Sequence, residues 1–448
     1  MASSEAADRE LLQLALDSLK RHGADQADVL ISAASALSVS CRLGELEDLE
    51  RAESRDIGLR AMIGQSQAFV SASGGTADMI DALAERAVAM ARNTPPDPYC
   101  GLIARADLAQ SWDDLDLYDA TELSAEELGA AARETEDIAR AVTGITNSEG
   151  AGASWSSGRT SLATSEGFFG SYETSSFSLS CAVLAGEGAN MERDYASHST
   201  RHASDLDTPH DIGQRAAERS CARLNPRKIK SQKAPVIFDQ RVSASLVGHL
   251  LGALSGSAIA RGTSFLRNDM GQAIMGNGIQ IIDDPLRKRG LRSAGFDGEG
   301  APMKPLSLIE DGVLCHWLLD LATAKQLGLT SNARAGRGIG GPPSPSASNV
   351  TLAAGTSSPE DLYRDIGEGL LVTELIGMGV NGVTGDYSRG ASGFWIEGGA
   401  IAYPVSEITI ASNLREMFKT LVPASDLSHR RGVDAPSILI PEMTLAGL

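Results

Sequence analysis

Two histidines four residues apart can hold zinc, and this chain offers one such pair: His198 and His202, with His210 and the acids Asp205, Asp207 and Asp211 close behind. The geometry needs a helix, which brings i and i+4 side chains onto one face. The segment is instead a polar run of Ser, Thr and Asp without apolar periodicity, and Arg201 puts a positive charge between the imidazoles. No metal ligand is assigned there. Gly336, Gly338 and Gly341 spell GxGxxG, but Pro342, Pro343 and Pro345 follow and cannot open the helix that a pyrophosphate requires, so a flexible loop is expected. Neither a phosphate-binding GxxxxGK[ST] nor a GxSxG serine elbow occurs. Asp283 and Asp284 read as solvated turn residues of an acidic protein. No catalytic residue is assigned.

The most informative stretch is 377–410. Phe394, Trp395 and Ile396 run into Glu397, Gly398 and Gly399, and Ile401, Tyr403 and Val405 return. That is a hairpin whose glycine pair supplies the positive φ of a tight turn. Asp386, Tyr387, Ser388, Arg389, Gly390, Ser392 and Gly393 are read as a polar loop at its mouth and are the candidate substrate-binding residues. Polar groups on a loop carried by a rigid β scaffold favour that reading. An ordinary solvated surface turn fits the same residues.

The elements that must position this loop divide near residue 228, into an N-terminal region 1–228, with sub-units of about 1–95 and 120–228, and a C-terminal region 229–448. With 448 residues, 42% hydrophobic and 22% charged, the chain has the composition of a soluble globular protein of two or three units. Aromatics make up only 4% against 47 glycines, which points to an aliphatic core, many turns and a β-rich protein with helices. Leu12, Leu16 and Leu19 share a helical face that ends at Gly23. Ile57, Leu59, Ala61 and Ile63 alternate as a half-buried hairpin strand returning through Phe69 and Val70. Helices are expected over 79–92, over 125–142 behind a Ser124/Glu127 capping box, and over 211–224. Residues 145–185, rich in Ser, Thr and Gly with recurring aromatics, read as short exposed strands in a meander, or as a low-complexity linker. A strand at 235–238 and a helix open the second half.

The net charge of −19 repels phosphate backbones and anionic lipid surfaces, which argues against direct nucleic-acid or membrane partners. The basic runs 227–230 and 287–289 lack interleaved aromatics and read as solvated faces or salt-bridged subunit contacts. Five scattered cysteines without CxxC fit a reducing compartment. The amino terminus lacks a basic region followed by an apolar core, and no segment has the ~20 apolar residues of a membrane span. A cytoplasmic location is expected.

The strings YSRGASGFWIEGG (387–399) and AYPVSEITIASNLREMF (402–418) closely resemble the PmbA/TldE branch of the TldD/PmbA family. So do FDGEGAPMKPLSLIEDGVLCHWLLDLATAKQLG (296–328), SNVTLAAG (348–355), PSILIPEMTLAG near the end and, more loosely, IGLRAMIGQSQAFVSAS. The resemblance implies a two-domain α+β fold, with a helix-flanked N-terminal sheet and a larger β-rich, barrel-like C-terminal domain. It implies a heterodimeric zinc metalloprotease acting on unfolded or flexible peptides, including peptide-antibiotic maturation and removal of antitoxin-like proteins. In that family the TldD-like chain binds zinc through a helical HExxxH motif and a cysteine near the carboxy terminus. Here the corresponding helix reads Val247-Gly248-His249-Leu250-Leu251-Gly252, and no cysteine follows Cys315. His249 alone is expected to be a packed or surface histidine, with a contact to a partner subunit as the alternative.

The expectation is therefore a non-catalytic subunit without a cofactor of its own, zinc residing on a TldD-like partner. A homodimeric peptide-binding or chaperone-like module is the alternative, and an independent hydrolase a weaker third. The family's older description as a modulator of DNA gyrase has no direct support in these residues.

Overall fold

The computed structural model describes residues 2–448. In the N-terminal half, α1 (Ala2–His22) leads into β1 (Gln26–Arg42), β2 (Glu45–Ile63) and β3 (Ser66–Ser73), followed by α2 (Ala77–Asn93) and α3 (Ala125–Ala141). Then come β4 (Ile145–Thr164), β5 (Phe169–Ala185), β6 (Glu192–Thr200) and α4 (Pro209–Ala222). The six strands form one antiparallel sheet in the order β3-β2-β1-β4-β5-β6.

Strand parity distributes the contacts of this sheet. Val29, Ile31, Leu37 and Val39 of β1 point to one face, as side chains two apart must. On that face α1 and α2 cover one end with Leu12, Leu19, Ile80 and Val88. The other end is covered by α3 and α4 through Leu128, Ala132, Ile212 and Ala216. The α3 start is the expected capping box, with Glu127 N donating to Ser124 Oγ at 3.2 Å and Ser124 N to the Glu127 carboxylate at 2.8 Å.

Two expectations are corrected here. Residues 145–185 are neither short exposed strands nor a linker, but two long paired strands. Trp155 and Phe177 lie in the core beneath α3 and α4, while Phe168, in the turn between the strands, is buried against the C-terminal half. The hairpin strand at 57–62 is buried on both faces, because the C-terminal half covers the side that the helices leave bare.

The C-terminal half begins with β7 (Gln232–Phe238), α5 (Gln240–Leu254), α6 (Gly256–Ala260), β8 (Ile281–Asp283), β9 (Leu306–Glu310), β10 (Val313–Leu314) and α7 (Leu321–Leu327). Next are β11 (Ala335–Gly336), β12 (Ser344–Pro345), β13 (Val350–Leu352), α8 (Pro359–Ile366), β14 (Gly369–Ile376), β15 (Asp386–Glu397) and β16 (Ala400–Asn413). The chain finishes with α9 (Leu414–Thr420), β17 (Val422–Pro423), β18 (Val433–Asp434) and β19 (Ile438–Ala446). Strands β16-β15-β14-β7-β19 pair in that order, and β19 returns to β16, closing a five-stranded barrel. The α+β class and the barrel-like C-terminal region are as expected. Gly398 and Gly399, at φ 61° and 78°, make the turn between β15 and β16 in the doubly positive conformation that suits a two-residue hairpin.

The two halves meet at a seam of aromatic and ionic contacts. Phe296 packs edge-on against Trp112, Phe168 and Tyr172 with centroids 4.7–5.5 Å away. Asp28 of β1 accepts from Arg60 at 2.5 Å and from Arg337 at 2.6 Å, all three side chains being at most 4% exposed. The glycine-rich segment 336–341 is thus not a free loop: Arg337 anchors it, and the Ile339 carbonyl lies against Gly58, where a Cβ would come within 2.1 Å. Asp283 is not a solvated turn residue either. It is fully buried, bonded to Arg334 at 2.6 Å and to Ser348 N at 3.0 Å, while Asp284 closes a local turn onto Leu286 N. In the basic run at 287–289, Arg287 pairs with Asp434 and Arg289 with Asp116 and Asp205 within the chain.

Two predictions follow from the seam. Asp28→Asn leaves two buried guanidinium groups without their anion and is expected to cost about 3–5 kcal/mol in urea unfolding, where exposed Arg51→Ala stays within about 0.5 kcal/mol. Glu299, buried and accepting from Leu321 N at 2.9 Å, has its carboxyl pushed up to about 8, by burial first and then by the neighbouring charge of Asp297. Its folded pKa exceeds the unfolded value of about 4.3, so the stability it contributes is present at low pH and lost as pH rises through about 8. The urea midpoint should fall between about pH 5 and pH 9, and Glu299→Gln should flatten that slope. An unchanged slope would refute the assignment.

Candidate functional site

The segment nominated for substrate binding is not a loop. Asp386 to Gly393 form the first two-thirds of β15, paired to β16 through Asn413–Val405 and to β14 through Ile376–Val372. The end that carries them lies opposite the Gly398-Gly399 turn. Strand alternation then separates the seven residues. Asp386 and Ser388 are exposed, Arg389 and Gly390 are half-buried, and Tyr387, Ser392 and Gly393 are buried. A Cβ at Gly393 would sit 1.8 Å from the Leu371 carbonyl, so this glycine serves the close pairing of β14 with β15.

The true loop is 377–385, which folds back on the strand through Ser388 N to Gly379 O at 2.7 Å and Gly385 N to Asn381 O at 2.8 Å. Met378 and Val383 on it are exposed. Asp386 holds its base: its carboxylate accepts from Thr384 Oγ1 at 2.7 Å and Asn413 Nδ2 at 3.1 Å, which keep it below the ordinary carboxylate range.

Behind this strand lies α5. Its first turn is capped by the Asp239 carboxylate, which accepts from Arg241 N at 2.9 Å, and its buried stripe is Leu246, Val247, Leu250 and Leu254. His249 projects towards Tyr387, the rings meeting edge-on at 5.9 Å, and Phe238 closes the far side at 6.4 Å. His249 Nε2 and the Tyr387 hydroxyl are both buried without a hydrogen-bond partner among the described residues. Burial, and secondarily the Arg389 cation, holds the imidazole pKa below its ordinary value, so His249 is neutral at pH 7. Burial also raises the Tyr387 phenol.

This donor set does not suit zinc. One imidazole, a phenol held in its neutral form and a nearby guanidinium that repels a dication do not replace three ligands. Gly248 and Gly252, on the same helix, bring no side chain. Among the described residues no three His, Cys, Asp or Glu side chains gather in a metal-binding arrangement. The pair His198 and His202 is not assembled on a helix: His198 sits in β6, its Nδ1 accepting from Asp207 N at 3.1 Å, while His202 turns to the Asp116 carbonyl at 3.0 Å.

Sequence reasoning did not single out Asp28, Arg60 or Arg241, whose ion pairs lie at the seam between the halves. Their partners come from distant elements, and no local pattern marks them.

The His249 environment generates a prediction about titration. Arg389→Gln should move the His249 imidazole resonances to a higher pKa in an NMR titration, while burial keeps the value below the ordinary ~6.5. No movement would show that the guanidinium is not felt at the ring.

Residues 231–447 match the PmbA/TldA metallopeptidase C-terminal domain, residues 113–224 the central domain and residues 27–91 domain 1. The Escherichia coli O157:H7 protein named metalloprotease PmbA is 38% identical over 450 residues, covering 99% of this chain and 98% of that one. A metalloprotease PmbA homolog of Haemophilus influenzae is 35% identical over 441 residues, covering 98% and 96%. Among solved structures, one from Bacteroides thetaiotaomicron described as a modulator of DNA gyrase superposes with a TM-score of 0.90 at 25% identity, covering 99% of each chain. TldE of Thermococcus kodakarensis shares the fold, with a TM-score of 0.88 at 21% identity, covering 98% of this chain and 100% of that one. Full-length identity to the PmbA proteins and matches to all three family domains place this chain in the PmbA/TldD metallopeptidase family.

Proposed function

We propose that this chain is the non-catalytic but required subunit of a heterodimeric zinc metalloprotease that cleaves unfolded or flexible peptides. The observation that carries the reading is the solitary imidazole of α5: His249 faces a neutral phenol and a cation where a metallopeptidase helix presents a second imidazole and a carboxylate. Zinc on a TldD-like partner would supply the activated water. The share of this chain is to wall the chamber and hold peptide in extended form. Asp386, Ser388 and Arg389, which reach the surface of the β15 end, are the contacts proposed for it, while Tyr387, Ser392 and Gly393 act behind them as packing. All five cysteines are free thiols, which supports a cytoplasmic setting. Among the described residues no helix is long and apolar enough to cross a membrane.

The test is the zinc content and subunit composition of the tagged chain, isolated gently from its own cells and compared with the same chain produced alone. Zinc is expected only together with an equimolar TldD-like chain. In that complex the double variant Asp386→Ala, Arg389→Ala should lower kcat/KM on an unfolded peptide by about tenfold with zinc content unchanged. Stoichiometric zinc on the lone chain, or a metal-free homodimer without a partner, would overturn the reading.

A further inference from the structure

A cavity of about 600 Å³ opens at the seam, between β6 and α4 on one side and the start of α5 and the 426–435 segment on the other. The chain as a whole carries a charge of −19, yet five arginines line this space: Arg215, Arg219, Arg241, Arg430 and Arg431. Their neutralisation is incomplete. Arg215 and Arg430 share one carboxylate, Asp207, at 3.0 and 2.7 Å, and Arg241 is held by Asp194 at 2.7 Å. The Arg219 guanidinium donates to the Tyr195 carbonyl and the Arg431 guanidinium to the Arg241 carbonyl; the Arg431 main-chain N–H reaches Asp434 at 2.8 Å, but neither guanidinium forms an ion pair among the described residues. The acids that line the cavity are already engaged: Asp434 with Arg287 and with the main-chain N–H groups of Arg430 and Arg431, Asp426 with Ser437, and Asp239 with the cap of α5. Unpaired guanidinium groups in a partly desolvated cleft call for an anion.

The second feature is the strand itself. β6 is the edge of the six-stranded sheet. The Tyr195 main chain points away from β5, its N–H donating to the Asp194 carboxylate at 2.7 Å and its carbonyl accepting from Arg219 at 3.1 Å. In an antiparallel ladder every second residue directs its main-chain groups the same way, so Ser197 and Ser199 also turn theirs to the free edge. Among the described residues nothing pairs with those groups.

We infer that this edge and its arginines form a docking groove for an extended acidic segment of a polypeptide, added to the sheet as a further strand. Main-chain bonds to Ser197 and Ser199 accept any sequence, and Arg219 with Arg431 selects aspartate and glutamate side chains. The inference deepens the proposed function by naming a substrate class and the surface that receives it, and it rests on the reading that this chain handles extended peptides. A polyphosphate chain fits less well. It offers no main chain to pair with the strand edge, and for a nucleic-acid strand the Tyr195 ring is already faced by Arg241 at 5.4 Å and Arg193 at 5.6 Å rather than free to stack a base.

The experiment uses the full-length chain without any partner, so that its outcome is independent of proteolysis. Fluorescence anisotropy is recorded with a labelled octapeptide alternating glutamate and valine, its lysine–valine counterpart, an octapeptide N-methylated at alternate amides, and a single-stranded oligonucleotide. The acidic peptide should bind, with affinity falling about tenfold in the double variant Arg219→Gln, Arg431→Gln and falling further with added salt. N-methylation should weaken it by a similar factor, a readout that leaves the protein unaltered. Absence of binding, equal binding of the lysine peptide, or tighter binding of the oligonucleotide would overturn the proposal. Such a failure with zinc-dependent cleavage intact in the two-chain complex would leave the subunit reading standing.

Discussion

Asp28 lies in a place where water cannot reach it, and the seam of the molecule is arranged around that fact. A lone buried carboxylate costs several kcal/mol in lost hydration, and here two guanidinium groups from different halves, Arg60 and Arg337, offset the cost. The offset is incomplete, since Arg337 Nε and Nη1 have no hydrogen-bond partner among the described residues. A buried ionic cluster of this kind is weak as a source of net stability, and here the carboxylate is satisfied by a placement of the two halves in which one arginine from each reaches it. That placement brings the Ile339 carbonyl onto Gly58 and the Phe296 ring into the aromatic cluster of Trp112, Phe168 and Tyr172.

The N-terminal sheet depends on this docking in turn. Strands β1, β2 and β4 run for 17 to 20 residues, much longer than the usual five or six. One face is covered by two helix pairs, and Leu30 and Leu162 on the other face require the C-terminal half. With both faces occupied around the seam, the cleft between β6 and α5 becomes a walled cavity instead of open surface. The barrel acts similarly on β15. Closure through β19 and β16 holds the strand between two neighbours, and the alternation of that strand sends Tyr387 towards His249 and Asp386 outwards.

Much of the local structure was legible in the chain. The α3 start could be read because Ser124 and Glu127 satisfy helix-terminal N–H groups within one turn, and the β15–β16 turn because two adjacent residues must adopt positive φ. The closing motif strings were enough to identify the family. The lengths of β1 and β4 were not readable, since their middles are Ser, Ala and Gly, residues with little strand preference. Asp283 and Asp284 are chemically identical neighbours, yet one is sealed against Arg334 and the other caps a surface turn. No property of the dipeptide distinguishes them.

The candidate site shows where that boundary falls. The sequence by itself determined the residue types at 386–393, the lone His249 on an amphipathic helix and the absence of its HExxxH companions, because these are matters of composition and short-range spacing. Only the tertiary structure decided that the polar, glycine-rich stretch is a strand, with three of the seven candidate residues buried. It alone placed Arg389 beside the imidazole and gathered Arg219, Arg241 and Arg431 around the edge of β6. Strand pairing and charge clustering join residues far apart in the chain, and their energies exist only once the intervening loops have closed.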